Sequence, residues 1–236
     1  MVASMHEIGH EKNRVLVVDD FMDEPEALIR QAQAMAPFKT EDQTYYPGLR
    51  RVIRPEDLDT TLHVRDALEA LAPLIHTVFG VRRFMATEAS FCLVTKTPDE
   101  LNIGQRLPHH DHIDPGHYAL LHYLSLDAEA KGGTSFYRHR ATGFERINAD
   151  RLGPYDLARR AEKAEGEPPK SYFDDSDRHF ERIARFSGKF NRLLIYRGSL
   201  LHSGNIPEDF SFSTDPVEGR LTCNIFIQGE PETATK

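Results

Sequence analysis

Two patterns of apolar residues alternate along this chain. Val15-Leu16-Val17-Val18-Asp19-Asp20-Phe21 is an apolar run closed by carboxylates, which reads as a buried strand. Asp23, Glu24, Pro25 and Glu26 follow it with the acidic first turn of a helix, and Ala27, Leu28, Ala32 and Met35 continue that helix. A longer helix is predicted from Pro55 to about Phe79. There Leu58, Leu62, Val64, Leu68, Leu71, Leu74, Ile75 and Val78 recur at helical spacing, and Gly80 supplies the stop. Beyond Gly80 the texture changes to short apolar runs bounded by turn residues. Residues 89–94, 118–124, 134–137, 192–196 and 221–227 are predicted strands. The expected fold is mainly β with flanking helices, built on an antiparallel barrel or jelly roll.

Residues 138–189 interrupt this rhythm with a polar, charged segment, in which 155–163 and 176–184 read as helical. A connection of that length inside a compact domain is usually functional or mobile. It forms either the rim or lid of a substrate entrance or a solvated excursion. The domain plan is a flexible tail over 1–13 and a single domain over 14–236. That domain divides into an N-terminal strand and helices (14–80) and a core (84–228) holding the insertion.

Composition narrows the classes. Among 236 residues, 39% hydrophobic and 28% charged suit a soluble globular chain with a real core. A net charge of -8 argues against nucleic-acid binding through a basic face. Cys92 and Cys223 both fall in apolar runs and read as core residues, so a reducing, cytoplasmic setting is expected. The polar start of the chain has no signal-peptide pattern, and no apolar stretch is long enough to span a membrane.

The densest chemistry is Pro108-His109-His110-Asp111-His112-Ile113-Asp114. In an extended segment, residues i and i+2 point to the same side, so His-x-Asp can occupy adjacent corners of one metal. A distal histidine would complete a two-His, one-carboxylate face with open positions, the arrangement that suits non-haem Fe(II). His202 is available for this, just past the apolar run 193–196 and beside Ser203-Gly204. Two registers compete, His109-x-Asp111 and His112-x-Asp114. The first is preferred, because Pro108 stiffens its approach and Asp114-Pro115-Gly116 reads as a turn. Near the C-terminus, strand alternation puts Arg220, Thr222, Asn224 and Phe226 on one side, and Leu221, Cys223, Ile225 and Ile227 on the other. A polar row facing a barrel interior is costly unless something polar binds there.

Taken in order, these pieces resemble the 2-oxoglutarate/Fe(II) dioxygenase superfamily, in particular its prolyl-4-hydroxylase-like branch. The matching segments are His109-x-Asp111, residues 118–124, Gly132-Gly133-Thr134, residues 193–196, His202-Ser203-Gly204 and residues 219–226. The resemblance implies a double-stranded β-helix core, with iron held by His109, Asp111 and His202. It implies 2-oxoglutarate chelating that iron, with its far carboxylate on Arg220 and a hydrogen bond from Tyr123, and O2 as co-reactant. Tyr123 reads equally as a core aromatic. The stretch between His202 and Arg220 is longer than that branch usually has, which keeps Arg192 and Arg197 as alternative basic residues. Because Asp111 is present, hydroxylation is expected in preference to halogenation, whose enzymes lack that carboxylate. The expected substrate is a small molecule or a peptide side chain. Two other readings stay open: a cupin-like metal protein that does not use 2-oxoglutarate, and an inert jelly-roll module.

Overall fold

The computed structural model describes residues 1–39, 46–128 and 131–231. The apolar runs become the strands of a large sheet. They are β1 (Val2–Ile8), β2 (Asn13–Asp19), β3 (Gly48–Val52), β4 (Val81–Val94), β5 (His117–Tyr123), β8 (Leu193–Arg197) and β10 (Leu221–Pro231). Its order is β1-β2-β8-β5-β10-β4-β3, antiparallel at every pairing. A smaller antiparallel sheet consists of β7 (Phe180–Ser187), β6 (Gly133–His139) and β9 (His202–Asn205), in the order β7-β6-β9. The two sheets form the double-stranded β-helix expected from the sequence.

Side-chain alternation separates two cores. On β10, Leu221, Cys223, Ile225 and Ile227 join Leu193 and Ile195 of β8 and Tyr118 and Leu120 of β5. This face is covered by α1 (Pro25–Ala34) and α2 (Leu58–Phe79), through Leu28, Ile29, Leu71 and Ile75. The opposite face turns Ala119, Tyr123, Leu194 and Tyr196 toward Phe136 of the small sheet. Gly80 closes α2 in the left-handed conformation (φ 69°), donating its N–H to His76 O at 2.9 Å. No helix among the described residues is long and apolar enough to cross a membrane.

Two expectations are corrected. Residues 1–13 are not a free tail, since Val2–Ile8 pairs with β2 along its whole length. The strand was hidden because it is a sheet edge, exposed from Val2 to Glu7 and therefore without an apolar pattern. Its turn is held by the fully buried Glu145, which accepts from His10 N, Glu11 N and Asn13 Nδ2 and also pairs with Arg138. Residues 176–184 are not helical either. From Phe180 the chain is β7, paired with β6, and the excursion between these strands spans residues 140–179. The helix expected at 155–163 is present as the second half of α3 (Ala149–Lys163), with Asn148 capping it through a bond from Arg151 N.

Candidate metal centre and cavity

The segment before β5 runs against the β8–β9 corner. His109 N donates to His202 O at 2.9 Å, and His202 N donates to His109 O at 2.8 Å. This reciprocal bridge sets the two imidazoles side by side, with ring centroids 4.4 Å apart. Two residues on, Asp111 N donates to Gly198 O at 2.7 Å, which fixes the carboxylate on the same side as His109. One ligand atom from each of His109, Asp111 and His202 lies within 4.8 Å of the others. His109 Nε2 is 3.7 Å from Asp111 Oδ1, and His202 Nε2 is 3.6 Å from Asp111 Oδ2.

The electrostatics suit ligation. His202 Nδ1 donates to Leu200 O at 2.8 Å, leaving the Nε2 lone pair facing the carboxylate. Burial pushes the His202 imidazole down to about 4. His109 leaves 44% of its side chain open. Even so, enclosure by the cavity walls, aided by the adjacent His202, takes it down to about 4. Both rings are therefore neutral near pH 7, the form that binds a metal. Burial raises the Asp111 carboxyl against its ordinary value. The competing pair is used differently. Asp114 Oδ1 accepts from Gly116 N at 2.7 Å and from Gln228 Nε2, and Asp114 N donates to His112 Nδ1. His112 and Asp114 therefore build the turn into β5 and do not converge with His202.

The triad opens on a cavity of about 1210 Å³ between the sheets. Arg220, Thr222, Asn224 and Phe226 line it, as the alternation of β10 requires. Arg220 is 5% exposed. Its Nη2 donates to Gly133 O at 3.1 Å, while its Nε has no hydrogen-bond partner. Asn224 Oδ1 is likewise buried and unpartnered. Tyr123 lies behind this wall. Its hydroxyl is 2.7 Å from that of Thr134, which does line the cavity, and its ring sits 5.3 Å from the Arg220 guanidinium. The alternative basic residues are elsewhere: Arg192 grips Asp19 with two nitrogens, and Arg197 stacks over Tyr118 and donates to Pro115 O.

Several cavity residues were not among the site residues read from the sequence, although those of α3 fall in the segment expected to form a rim or lid. Tyr46 and Arg50 come from the approach to β3 and from β3 itself, and Glu88 comes from β4. Tyr155, Asp156 and Arg159 of α3 and Tyr172 come from the excursion. Isolated tyrosines and charges at helical spacing read as ordinary surface, and only the packing of α3 across the sheet mouth makes them walls.

A family model matches residues 1–227. The chain belongs to the family of unknown function DUF6445. No curated protein matches this DUF6445 chain in sequence. Its fold is similar to that of SnoN, a non-heme alpha ketoglutarate dependent epimerase from nogalamycin biosynthesis. That likeness has a TM-score of 0.53 and 11% identity, over 93% of this chain and 79% of that one. HygX from Streptomyces hygroscopicus, with nickel, 2-oxoglutarate and hygromycin B bound, gives a TM-score of 0.54 and 15% identity, covering 95% and 89% of the two chains. AviO1 from Streptomyces viridochromogenes Tue57 gives 0.51 and 14%, covering 94% and 91%. At these identities the likeness is one of fold.

Proposed function

We propose that this chain is a non-haem Fe(II)- and 2-oxoglutarate-dependent oxygenase that hydroxylates a C–H bond of a small molecule or a peptide side chain. The observation that carries the proposal is the convergence of His109, Asp111 and His202 on a cavity that also holds a buried arginine with an unpartnered Nε. Two neutral imidazoles and one carboxylate form a donor set that suits Fe(II) and leaves positions for other ligands. Arg220 and Asn224 answer the second requirement, a site for a dicarboxylate. Arginine can take a carboxylate bidentately, and orphaned polar atoms at the cavity wall call for a polar ligand. Two of the fold neighbours support the reading, since SnoN is described as alpha ketoglutarate dependent and HygX binds 2-oxoglutarate with nickel. The narrower kinship with prolyl-4-hydroxylase-like enzymes rests on motif order alone.

When bound, iron and 2-oxoglutarate supply the oxidising chemistry with O2. The chain's residues hold and orient. His109, Asp111 and His202 hold the metal, and the Leu200 carbonyl keeps His202 in the ligating tautomer. Arg220 takes the far carboxylate of the cosubstrate. Tyr123 acts behind it through Thr134, which gives the tyrosine a supporting position and not a direct contact. The α3 face bearing Tyr155, Asp156 and Arg159 forms the substrate side of the cavity, the rim role for the excursion. A reducing cytoplasm suits both Fe(II) and the buried thiols Cys92 and Cys223.

The test is anaerobic titration with Fe(II) and then 2-oxoglutarate, followed by the visible charge-transfer band and, on admitting O2, by succinate release. The band and succinate are expected. Tight Fe(II) binding without a 2-oxoglutarate-dependent band would favour the cupin-like alternative. No metal binding would leave an inert jelly roll.

A further inference from the structure

A second cleft, of about 140 Å³, shares no lining residue with the cavity and lies at the junction of the β1–β2 turn, the end of α2 and the β8 corner. Lys12, Arg14, Arg146 and Arg197 all line it, with Val78 and Phe79 as an apolar floor. Four cations in one small concavity is unexpected in a chain of net charge -8. Arg197 reaches it from the helix-covered face of β8, where its guanidinium stacks on Tyr118, so the cleft is separate from the cavity between the sheets.

The existing contacts account for only part of this charge. Arg14 donates to Val78 O, a carbonyl in the last turn of α2, and lies 3.9 Å from Glu7. Arg14 therefore serves as a helix cap. Arg146 Nε meets Glu11 at 3.1 Å, but Glu11 is shared with Arg151. Arg197 is satisfied by the Pro115 carbonyl, which carries no opposing charge. Lys12 is exposed and adopts a left-handed backbone (φ 50°) in a turn that Glu145 pins on both sides. Glu145, the third carboxylate of this corner, is taken up by Arg138 and the turn's own donors, so among the described residues only Arg14 and Arg146 of the four lining cations meet a carboxylate, Glu7 and the shared Glu11.

We propose that this cleft binds a tetrahedral oxyanion, the phosphate group of a small molecule. The cations come from three separate elements and surround a volume that suits one phosphoryl group. A multiply charged, tetrahedral acceptor satisfies such an arrangement better than a planar carboxylate, which favours a single arginine fork.

The test uses the metal-free full-length chain and calorimetric titration with inorganic phosphate and pyrophosphate at constant ionic strength, with sodium chloride as the control. Saturable one-site binding is expected. The double variant Lys12→Gly, Arg146→Gln should weaken it at least tenfold, about 1.4 kcal/mol, while Arg220→Ala should leave it unchanged. Glycine fits the left-handed position of Lys12, and a thermal melt verifies that the variant is folded. Binding indistinguishable from chloride, or equal affinity in the double variant, overturns the proposal. So does binding lost only in Arg220→Ala, which would assign the phosphate to the cavity between the sheets.

Discussion

At the scale of single residues, the site depends on which polar atoms the fold leaves without protein partners. Arg220 lines the cavity with one anchoring bond to Gly133 O and a buried Nε that has no hydrogen-bond partner, so it is held in place without being neutralised by a carboxylate. Arg192 is the opposite case, both ends of its fork being taken by Asp19. Arg220→Ala is therefore expected to weaken 2-oxoglutarate binding by about 2–5 kcal/mol, the range for removing one partner of a buried charged contact, with Fe(II) affinity little changed. Equilibrium titrations of each ligand against the variant check this, and unchanged cosubstrate affinity would remove Arg220 from the site. The residue scale also shows what local pattern could tell. The alternation over 220–227 is a property of any extended strand, so the inward row was legible without a structure. Whether Tyr123 touches the cavity was not, because that depends on Thr134 being interposed from the other sheet.

At the scale of elements, two polar clasps tie the sheets to their surroundings. Glu145, itself fully buried, collects three donors from the β1–β2 turn region and the Arg138 guanidinium. Glu145→Ala strands those donors and should cost about 3–5 kcal/mol. Urea denaturation measures the loss, and hydrogen exchange should show residues 2–13 losing protection first. An equally protected β1 would mean that the clasp does not hold it. Asp19 joins β2 to the start of β8 through Arg192 Nε at 2.6 Å and Nη2 at 2.9 Å. The Arg192 guanidinium holds its carboxyl below the ordinary value, against a smaller opposing effect of burial. A carboxyl depressed in the folded state stabilises above its unfolded pKa, about 3.9. That contribution fades as pH falls through the folded value. Asp19→Asn should thus cost about 1–2 kcal/mol at pH 7, with the gap to wild type closing as the pH is taken below 4. A gap that is constant with pH would show the effect to be packing and not charge. Helices α1 and α2 were readable because their apolar faces repeat at helical spacing, whereas β1 and β7 were not. Both are edge strands, whose outer faces carry polar residues and give no period-two signal.

At the scale of the whole molecule, the proposed metal centre bridges separate parts of the chain, so occupancy should stabilise the fold by linkage. Redox-inert Ni(II) at 100 times its Kd should add about 2.7 kcal/mol, read as a rise in Tm that His202→Ala abolishes. A rise that persists in the variant would place the bound metal elsewhere. The sequence alone determined the local quantities: helix periods, strand alternation, and the i,i+2 spacing that sets His109 and Asp111 on one side. Those follow from backbone geometry within a few residues. Tertiary structure decided the rest. The choice of His109-x-Asp111 over His112-x-Asp114 comes from the bridge between His109 and His202, together with the Gly198 carbonyl that receives Asp111 N. That Arg220 lines the cavity while Arg192 and Arg197 do not comes from which face of which strand meets it. The α3 wall and the anchoring of β1 by Glu145 depend on the same kind of contact. Hydrogen bonds between residues far apart in the chain leave no periodic trace in it, because their partners are chosen by how the sheets pack.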